Sequence, residues 1–134
     1  MGITTSTAAP AGRSARQAIP DPRPVLEPGI EGWRLLGGRC TAGGHANPTN
    51  APRCPRCGAP TAETRFGPAG VVWATTTIHI AQGERSEPYM LAYVDLDDGP
   101  RMLAHVPDGP VAIEDRVRLR GYSPLGDPQV EVIR

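Results

Sequence analysis

The strongest constraint on this chain is the segment Cys54-Pro55-Arg56-Cys57-Gly58, which has the form of a metal-binding knuckle. Two thiols separated by two residues can converge on one ion, and the following glycine frees backbone N–H groups to point at the sulfurs. A ribbon built on such a knuckle needs a second one upstream. Cys40 stands where its first ligand belongs, but Gly43 occupies the position of the partner cysteine. The sequence therefore predicts a zinc ribbon that lacks one ligand.

The candidate metal ligands are Cys40, Cys54 and Cys57, with His45 as the candidate fourth ligand. In an extended segment residues 43 and 45 point to the same side, so the longer imidazole could replace the missing thiol. Structural zinc sites use such a Cys3His set. The alternative is a metal-free remnant in which the thiols are ordinary buried side chains, and the sequence leaves both open. Catalytic zinc is disfavoured because no general base lies nearby in sequence, and rubredoxin-like iron would require four thiolates.

The charge balance argues against a nucleic-acid-binding protein. The chain has 134 residues, and its 14 basic residues, all of them Arg, are matched by 14 acidic residues. Proteins that bind a phosphate backbone usually carry a basic surplus. Three cysteines and the absence of a long apolar run predict a cytoplasmic protein with reduced thiols and no membrane segment.

The N-terminal third of the chain reads as a tail followed by a short helix. Residues 1–27 are rich in Pro, Ser, Thr and Ala, and they are predicted to be disordered. Over residues 28–36 a short helix is expected, because Ile30, Trp33 and Leu36 recur every third position before a Gly-Gly pair.

From residue 67 onward the pattern is all-β. Five short runs of β-branched and alternating apolar residues, separated by loops that contain Gly and Pro, fit a small closed barrel of the OB type. The predicted architecture is mainly β. A short N-terminal helix and a rubredoxin-like zinc ribbon occupy residues 28–66, and a five-stranded OB-fold barrel occupies residues 67–134.

Alternation along the first three barrel strands predicts an apolar patch on the outside of the barrel. Trp73, Leu91, Tyr93 and Leu103 all fall on the outward side. An exposed patch of this kind needs a cover. The cover is either intramolecular, from the ribbon and the helix that carries Trp33, or a partner protein. The four residues are the candidate partner-binding residues.

Three arginines share one face of the fourth predicted strand, at positions 116, 118 and 120. They could bind phosphates or an acidic partner, but the favoured interpretation is a solvated strand face paired with acids such as Glu131. His79 and His105 are expected to be surface or rim residues. Neither has a nearby nucleophile and orienting group, so no catalytic residue is predicted.

Four segments follow one another in a distinctive order. They are LLGGRC at 35–40, CPRCG at 54–58, GVVWATTT at 70–77 and PYMLAYVDLDDGP at 88–100. In this order and spacing the chain resembles, over residues 28–134, the zinc-ribbon plus OB-fold accessory proteins of thiolases and related acyl-CoA enzymes.

The resemblance implies a non-catalytic accessory subunit without activity of its own. Its partner would be a thiolase-like or ketosynthase-like protein or another acyl-CoA enzyme subunit, and it would line the route of the acyl-CoA thioester. Zinc-binding members use two CxxC knuckles, and this chain departs from them at Gly43. The main alternative is a single-stranded nucleic-acid-binding module that uses Trp73, Tyr93 and the arginine stripe. A stand-alone acyl-thioester enzyme ranks last, because no nucleophile–base pair is visible.

Overall fold

The computed structural model of the protein describes residues 24–80 and 88–133. Its first part is a four-stranded antiparallel sheet, here called the ribbon sheet, with the second strand at its centre. Its strands are β1 (Val25–Glu27), β2 (Arg34–Cys40), β3 (Ala46–Asn47) and β4 (Thr61–Phe66). Because β2 pairs with β4 from Leu35 to Cys40, it carries Cys40 outward to the tip of the sheet.

The second part is a closed five-stranded barrel. Its strands are β5 (Ala69–Ile78), β6 (Tyr89–Leu96), β7 (Arg101–His105), β8 (Arg116–Tyr122) and β9 (Pro128–Val132). Around the barrel the order is β9-β7-β6-β5-β8, and β9 closes it by pairing antiparallel with β8 and parallel with β7. This is the connectivity of an OB fold, so the predicted barrel is confirmed.

Alternating apolar residues build the barrel because successive side chains of a strand point to opposite faces. Burial alternates strictly along β8, where Val117 and Leu119 are buried between exposed arginines. The ribbon sheet contributes to the same core: Leu26, Leu35 and Phe66 belong to one buried cluster with the barrel side chains. The two parts therefore share a continuous core.

Three contacts hold the ribbon sheet against the barrel. The Trp33 ring packs edge-on against Tyr122 of β8, with the ring centroids 6.1 Å apart. The Tyr122 hydroxyl in turn accepts a hydrogen bond of 2.5 Å from the backbone N–H of Leu26 in β1. On the other side Phe66 packs against Gly99, where a Cβ would lie only 2.9 Å from the Phe66 ring. These contacts orient the cysteine-bearing tip relative to the barrel.

The predicted helix over residues 28–36 is wrong. The described residues contain no helix, and residues 34–36 are the start of β2. Gly32 has φ 127, which is outside the helical region and interrupts the segment in its middle. Ile30 is fully exposed, so the spacing that suggested a helix does not mark a buried face.

The last three residues of the predicted tail, residues 25–27, form a strand. Val25–Glu27 forms β1, which pairs with residues 34–36 of β2 and buries Leu26. Residues 1–23, the rest of the predicted tail, lie outside the described residues. Within the described chain there is also no helix with the length and apolar character needed to span a membrane.

Candidate functional site

The three cysteines converge at the tip of the ribbon sheet. Their sulfur atoms all lie within 4.8 Å of one another, and the Sγ atoms of Cys40 and Cys57 are 3.4 Å apart. Tetrahedral zinc–thiolate geometry, with bonds of about 2.3 Å, places sulfurs about 3.8 Å apart. Cys40 and Cys54 are buried, whereas Cys57 is exposed. The three side chains can therefore bind one metal ion.

Backbone hydrogen bonds favour the thiolate form of Cys40. The pKa of Cys40 is lowered to about 7, because the N–H groups of Gly43 and Ala42 donate to its sulfur and the Cys57 thiol adds a further hydrogen bond. The pKa of Cys57 is raised: the N–H of Ala59 acts to lower it, but the contact with Cys40 and desolvation outweigh that effect. A thiol with a pKa near neutrality is partly thiolate, which is the form that binds metal.

His45, the candidate fourth ligand, is not part of the cysteine cluster. Among the described residues, the group of side chains with converging ligand atoms at this tip consists of the three cysteines. The Nδ1 atom of His45 instead lies 3.4 Å from the Nη1 atom of Arg56. Position 43 faces open space, since a Cβ placed on Gly43 would meet no atom within 4 Å.

The predicted apolar patch lies on the outside of β5, β6 and β7, and we call it the outer face (Trp73, Leu91, Tyr93 and Leu103). Trp73, Tyr93 and Leu103 are 50%, 45% and 41% exposed, and Leu91 is half-buried. Trp73 sits at a bulge in the pairing of β5 with β6, and its ring meets Tyr93 edge-on at 6.2 Å. Of the two covers left open by the sequence, the Trp33 segment does not supply one here, because that ring packs against Tyr122 of β8.

A charged pair borders the outer face on one side. The Arg101 guanidinium stacks 3.6 Å from the centroid of the Trp73 ring, a cation–π contact. It also donates two hydrogen bonds to the carboxylate of Asp95, at 2.6 and 3.1 Å. The pKa of Arg101 is raised by this hydrogen bonding. Because the cation is paired with an acid, the face carries no surplus of positive charge from Arg101.

On its other side the outer face continues into a pocket of about 380 Å³. Tyr89 and His105 line it, with their rings stacked at 5.2 Å, and Met90 and Gln129 are also part of the lining. His105 is the cross-strand partner of Leu91, so pocket and outer face are continuous. In OB folds the face of the second and third strands is the usual ligand-binding surface, and here those strands are β6 and β7.

Sequence reasoning missed this pocket, although His105 itself had been expected at a rim. The carboxylate of Asp127 lies 3.6 Å from His105 Nε2 and 3.4 Å from Ser123 Oγ. In a serine triad the imidazole, not the carboxylate, is the central group, so this arrangement is not that of a triad. The alternation of Tyr89 with Leu91 and Tyr93 was the available signal, but the approach of the loop before β9 depends on barrel closure.

Each arginine of the β8 stripe is paired with an acidic side chain. The pairs are Arg116 with Asp97, Arg118 with Glu131 and Arg120 with Asp108, at 2.7, 2.7 and 2.5 Å. Hydrogen bonding within the first pair lowers the pKa of Asp97 and raises that of Arg116. The interpretation as a solvated, acid-paired strand face is therefore the one observed. A stripe neutralised in this way is a poor phosphate-binding surface.

Fold and site together define a ribbon-plus-barrel protein with a three-cysteine tip and an exposed aromatic OB face. Residues 63–121 match the family described as ChsH2, C-terminal OB-fold domain. A DUF35 domain-containing scaffold protein of Pyrococcus furiosus is 36% identical over 81 residues, which are 58% of this chain. The matched region spans 59% of that relative's length.

Two solved structures share the fold. A structure titled Ltp2-ChsH2(DUF35) aldolase superposes with a TM-score of 0.61 at 23% identity, covering 74% of this chain and 84% of that one. A DUF35-family protein of unknown function from Sulfolobus solfataricus gives 0.56 at 16% identity, covering 75% and 76%. Together with the family match, these findings confirm the resemblance to zinc-ribbon plus OB-fold proteins that the sequence indicated, and they name relatives of the ChsH2 and DUF35 type.

Proposed function

We propose that this protein is a non-catalytic accessory subunit that binds a thiolase-superfamily or related acyl-CoA enzyme through its outer face. The observation that carries the proposal is the exposure of Trp73, Tyr93 and Leu103 side by side on β5, β6 and β7. Aromatic side chains are enriched at the centre of protein interfaces, where charged side chains are depleted. Within the described chain, the ribbon sheet packs elsewhere and does not supply the cover.

The names of related proteins support a role in assembly. The Pyrococcus relative is called a scaffold protein. A protein of the same fold appears in a structure titled as an aldolase formed with ChsH2. Both names describe proteins that work with others, and an exposed aromatic face is what such a protein requires.

We extend the proposal to the acyl-CoA thioester, whose route the subunit would line at the pocket beside the outer face. That pocket adjoins the proposed interface through the pairing of Leu91 with His105. A partner docked on the outer face would therefore cover one wall of the pocket. Tyr89 and His105 offer a flat stacked surface there, and flat rings of a ligand stack favourably on such surfaces.

Zinc is the metal that we propose for the three-cysteine tip, in a structural role. Three thiolates are a donor set typical of zinc, and the sulfur separations fit a tetrahedral ion. His45, the fourth ligand that the sequence suggested, lies outside the cysteine group, so the proposal assigns it no bond to the ion. The cytoplasm is the compartment that we propose, since free cysteines suit a reducing environment.

The test is co-expression with the thiolase-superfamily, ketosynthase-like and aldolase proteins of the same organism, followed by light scattering of the purified complex. Once a partner is found, Leu103→Glu should weaken its binding by about 30-fold or more, the effect of losing a central contact worth about 2 kcal/mol. Ile30→Glu, at a fully exposed aliphatic residue in the turn between β1 and β2, is the matched control. The proposal would be contradicted if the protein stayed monomeric with every such candidate, or if the two variants weakened partner binding equally.

A further inference from the structure

The cysteine cluster fills three corners of a tetrahedron and leaves the fourth without a protein ligand. Its three sulfurs come from the end of β2 and from the knuckle at residues 54–57, and they converge within 4.8 Å. Two backbone donors hold them in place: Gly43 N–H reaches Cys40 Sγ and Arg56 N–H reaches Cys54 Sγ, both at 3.4 Å. The tip therefore keeps the N–H to sulfur hydrogen bonds of a metal-binding knuckle although one thiol is missing.

The missing corner opens to solvent. Gly43 occupies the position of the absent ligand, and the space beside it is open for at least 4 Å from an added Cβ. Cys57, on the facing loop, is exposed. Among the described residues no other histidine, cysteine or acidic side chain joins the group, and His45 is engaged by Arg56.

Guanidinium groups surround the same tip. Arg39 Nη1 donates to the carbonyl of Gly44 at 2.9 Å, directly after the first half-knuckle. Arg53 Nη1 donates to the carbonyl of Gly58 at 3.3 Å, directly after the second. Arg39 is shared with the Asp98 carboxylate at 3.9 Å, so Arg53 and Arg56 supply the positive charge beside an ion whose three thiolates already leave the site with a net negative charge. Such surroundings stabilise an additional anionic ligand.

We propose that the three-cysteine tip binds one divalent ion with an exchangeable fourth position, and that this position takes an external thiolate. The inference rests on the proposed zinc site and adds that the coordination shell is open. A thiolate is favoured because a thiophilic ion prefers soft ligands and because the arginines offset its charge. The thiolate can come from a small thiol or from a cysteine of a partner protein, since the chemistry is the same.

The experiment uses the full chain loaded with Co²⁺ as a spectroscopic substitute for Zn²⁺. Adding 2-mercaptoethanol should increase the sulfur-to-cobalt charge-transfer absorption and shift the visible ligand-field bands, as a fourth Co–S bond forms. Gly43→Cys supplies that thiolate from the chain itself, so its spectrum should match the thiol-saturated wild type and should not respond to added thiol. His45→Ala should behave like the wild type.

The outcomes separate the two levels of the proposal. Absence of bound metal by elemental analysis overturns both the zinc site and its open position. Metal that binds with a spectrum unaffected by thiol overturns the open position alone. If the spectrum without added thiol differs between His45→Ala and the wild type, the histidine is the fourth ligand, and this also overturns the open position. A response to imidazole without a response to 2-mercaptoethanol overturns the assignment of a thiolate.

Discussion

Gly121→Ala is expected to weaken the joint between the ribbon sheet and the barrel. Gly121 lies in β8 at φ 98, a conformation that residues with a side chain rarely adopt. A Cβ at this position would lie 2.9 Å from Cε2 and 3.1 Å from Cζ2 of Trp33. The substitution therefore strains the backbone and displaces the ring that packs against Tyr122.

The expected loss combines two effects. Alanine at this φ costs about 1 kcal/mol after its lower unfolded-state entropy is taken into account. If the Trp33 ring leaves its site, the exposure of about 100 Å² of apolar surface costs about 2.5 kcal/mol at 25 cal/mol per Å². The free energy of unfolding should therefore fall by about 3.5 kcal/mol, a large part of the stability of a domain of this size.

Urea denaturation followed by tryptophan fluorescence measures the loss, and a double-mutant cycle identifies its cause. In a Trp33→Ala background the clash is gone, so Gly121→Ala should cost only the backbone part, about 1 kcal/mol. Equal costs of Gly121→Ala in the two backgrounds would refute the reasoning, since the ring would then have no share in the effect.

Three further predictions concern charge, metal and ligand. Asp97→Asn removes the partner of Arg116. Because the pKa of Asp97 is lowered in the folded state, the pair stabilises the fold above the ordinary aspartate pKa, and this contribution is lost as pH falls through the lowered value. The variant should lack that acid-dependent loss when stability is measured from neutral to acidic pH, with an effect below about 1 kcal/mol since the pair is exposed. An equally steep acid dependence in the variant would assign it to other groups. Cys54→Ser should abolish metal binding in elemental analysis, whereas the wild type should hold about one zinc per chain; equal metal content in both would exclude the tip as the site. Labelled single-stranded oligonucleotides should show no salt-sensitive binding at about micromolar concentration by fluorescence anisotropy, and such binding would revive the nucleic-acid alternative.

The barrel was predictable from sequence because its signals are local. Alternation of apolar and polar residues along β6, β7 and β8 indicates directly which side chains face the core. The Asp-Asp-Gly-Pro segment at residues 97–100 indicates a turn by its composition alone. The same local logic failed at residues 28–36. There a spacing of three suggested a helix, but hydrogen bonding to two neighbouring strands and a glycine at φ 127 favoured a turn and a strand.

The outer face was predictable as a set of residues but not as a site. Alternation identified Trp73, Leu91, Tyr93 and Leu103 as outward-facing. Whether the ribbon sheet would cover them depended on where the Trp33 ring packs. That ring lies against Gly121, a residue 88 positions further along the chain. The pocket at His105 likewise requires the loop before β9 to approach β7.

By itself the sequence determined the barrel strands, the convergence of Cys54 with Cys57 and the gap at Gly43, because each depends on residues within a few positions of one another. Only the tertiary structure decided that Cys40 joins the other two thiols while His45 does not, and that each arginine of β8 meets an acid. It also decided that the aromatic face stays exposed. These outcomes depend on the pairing of distant strands, which local patterns do not encode.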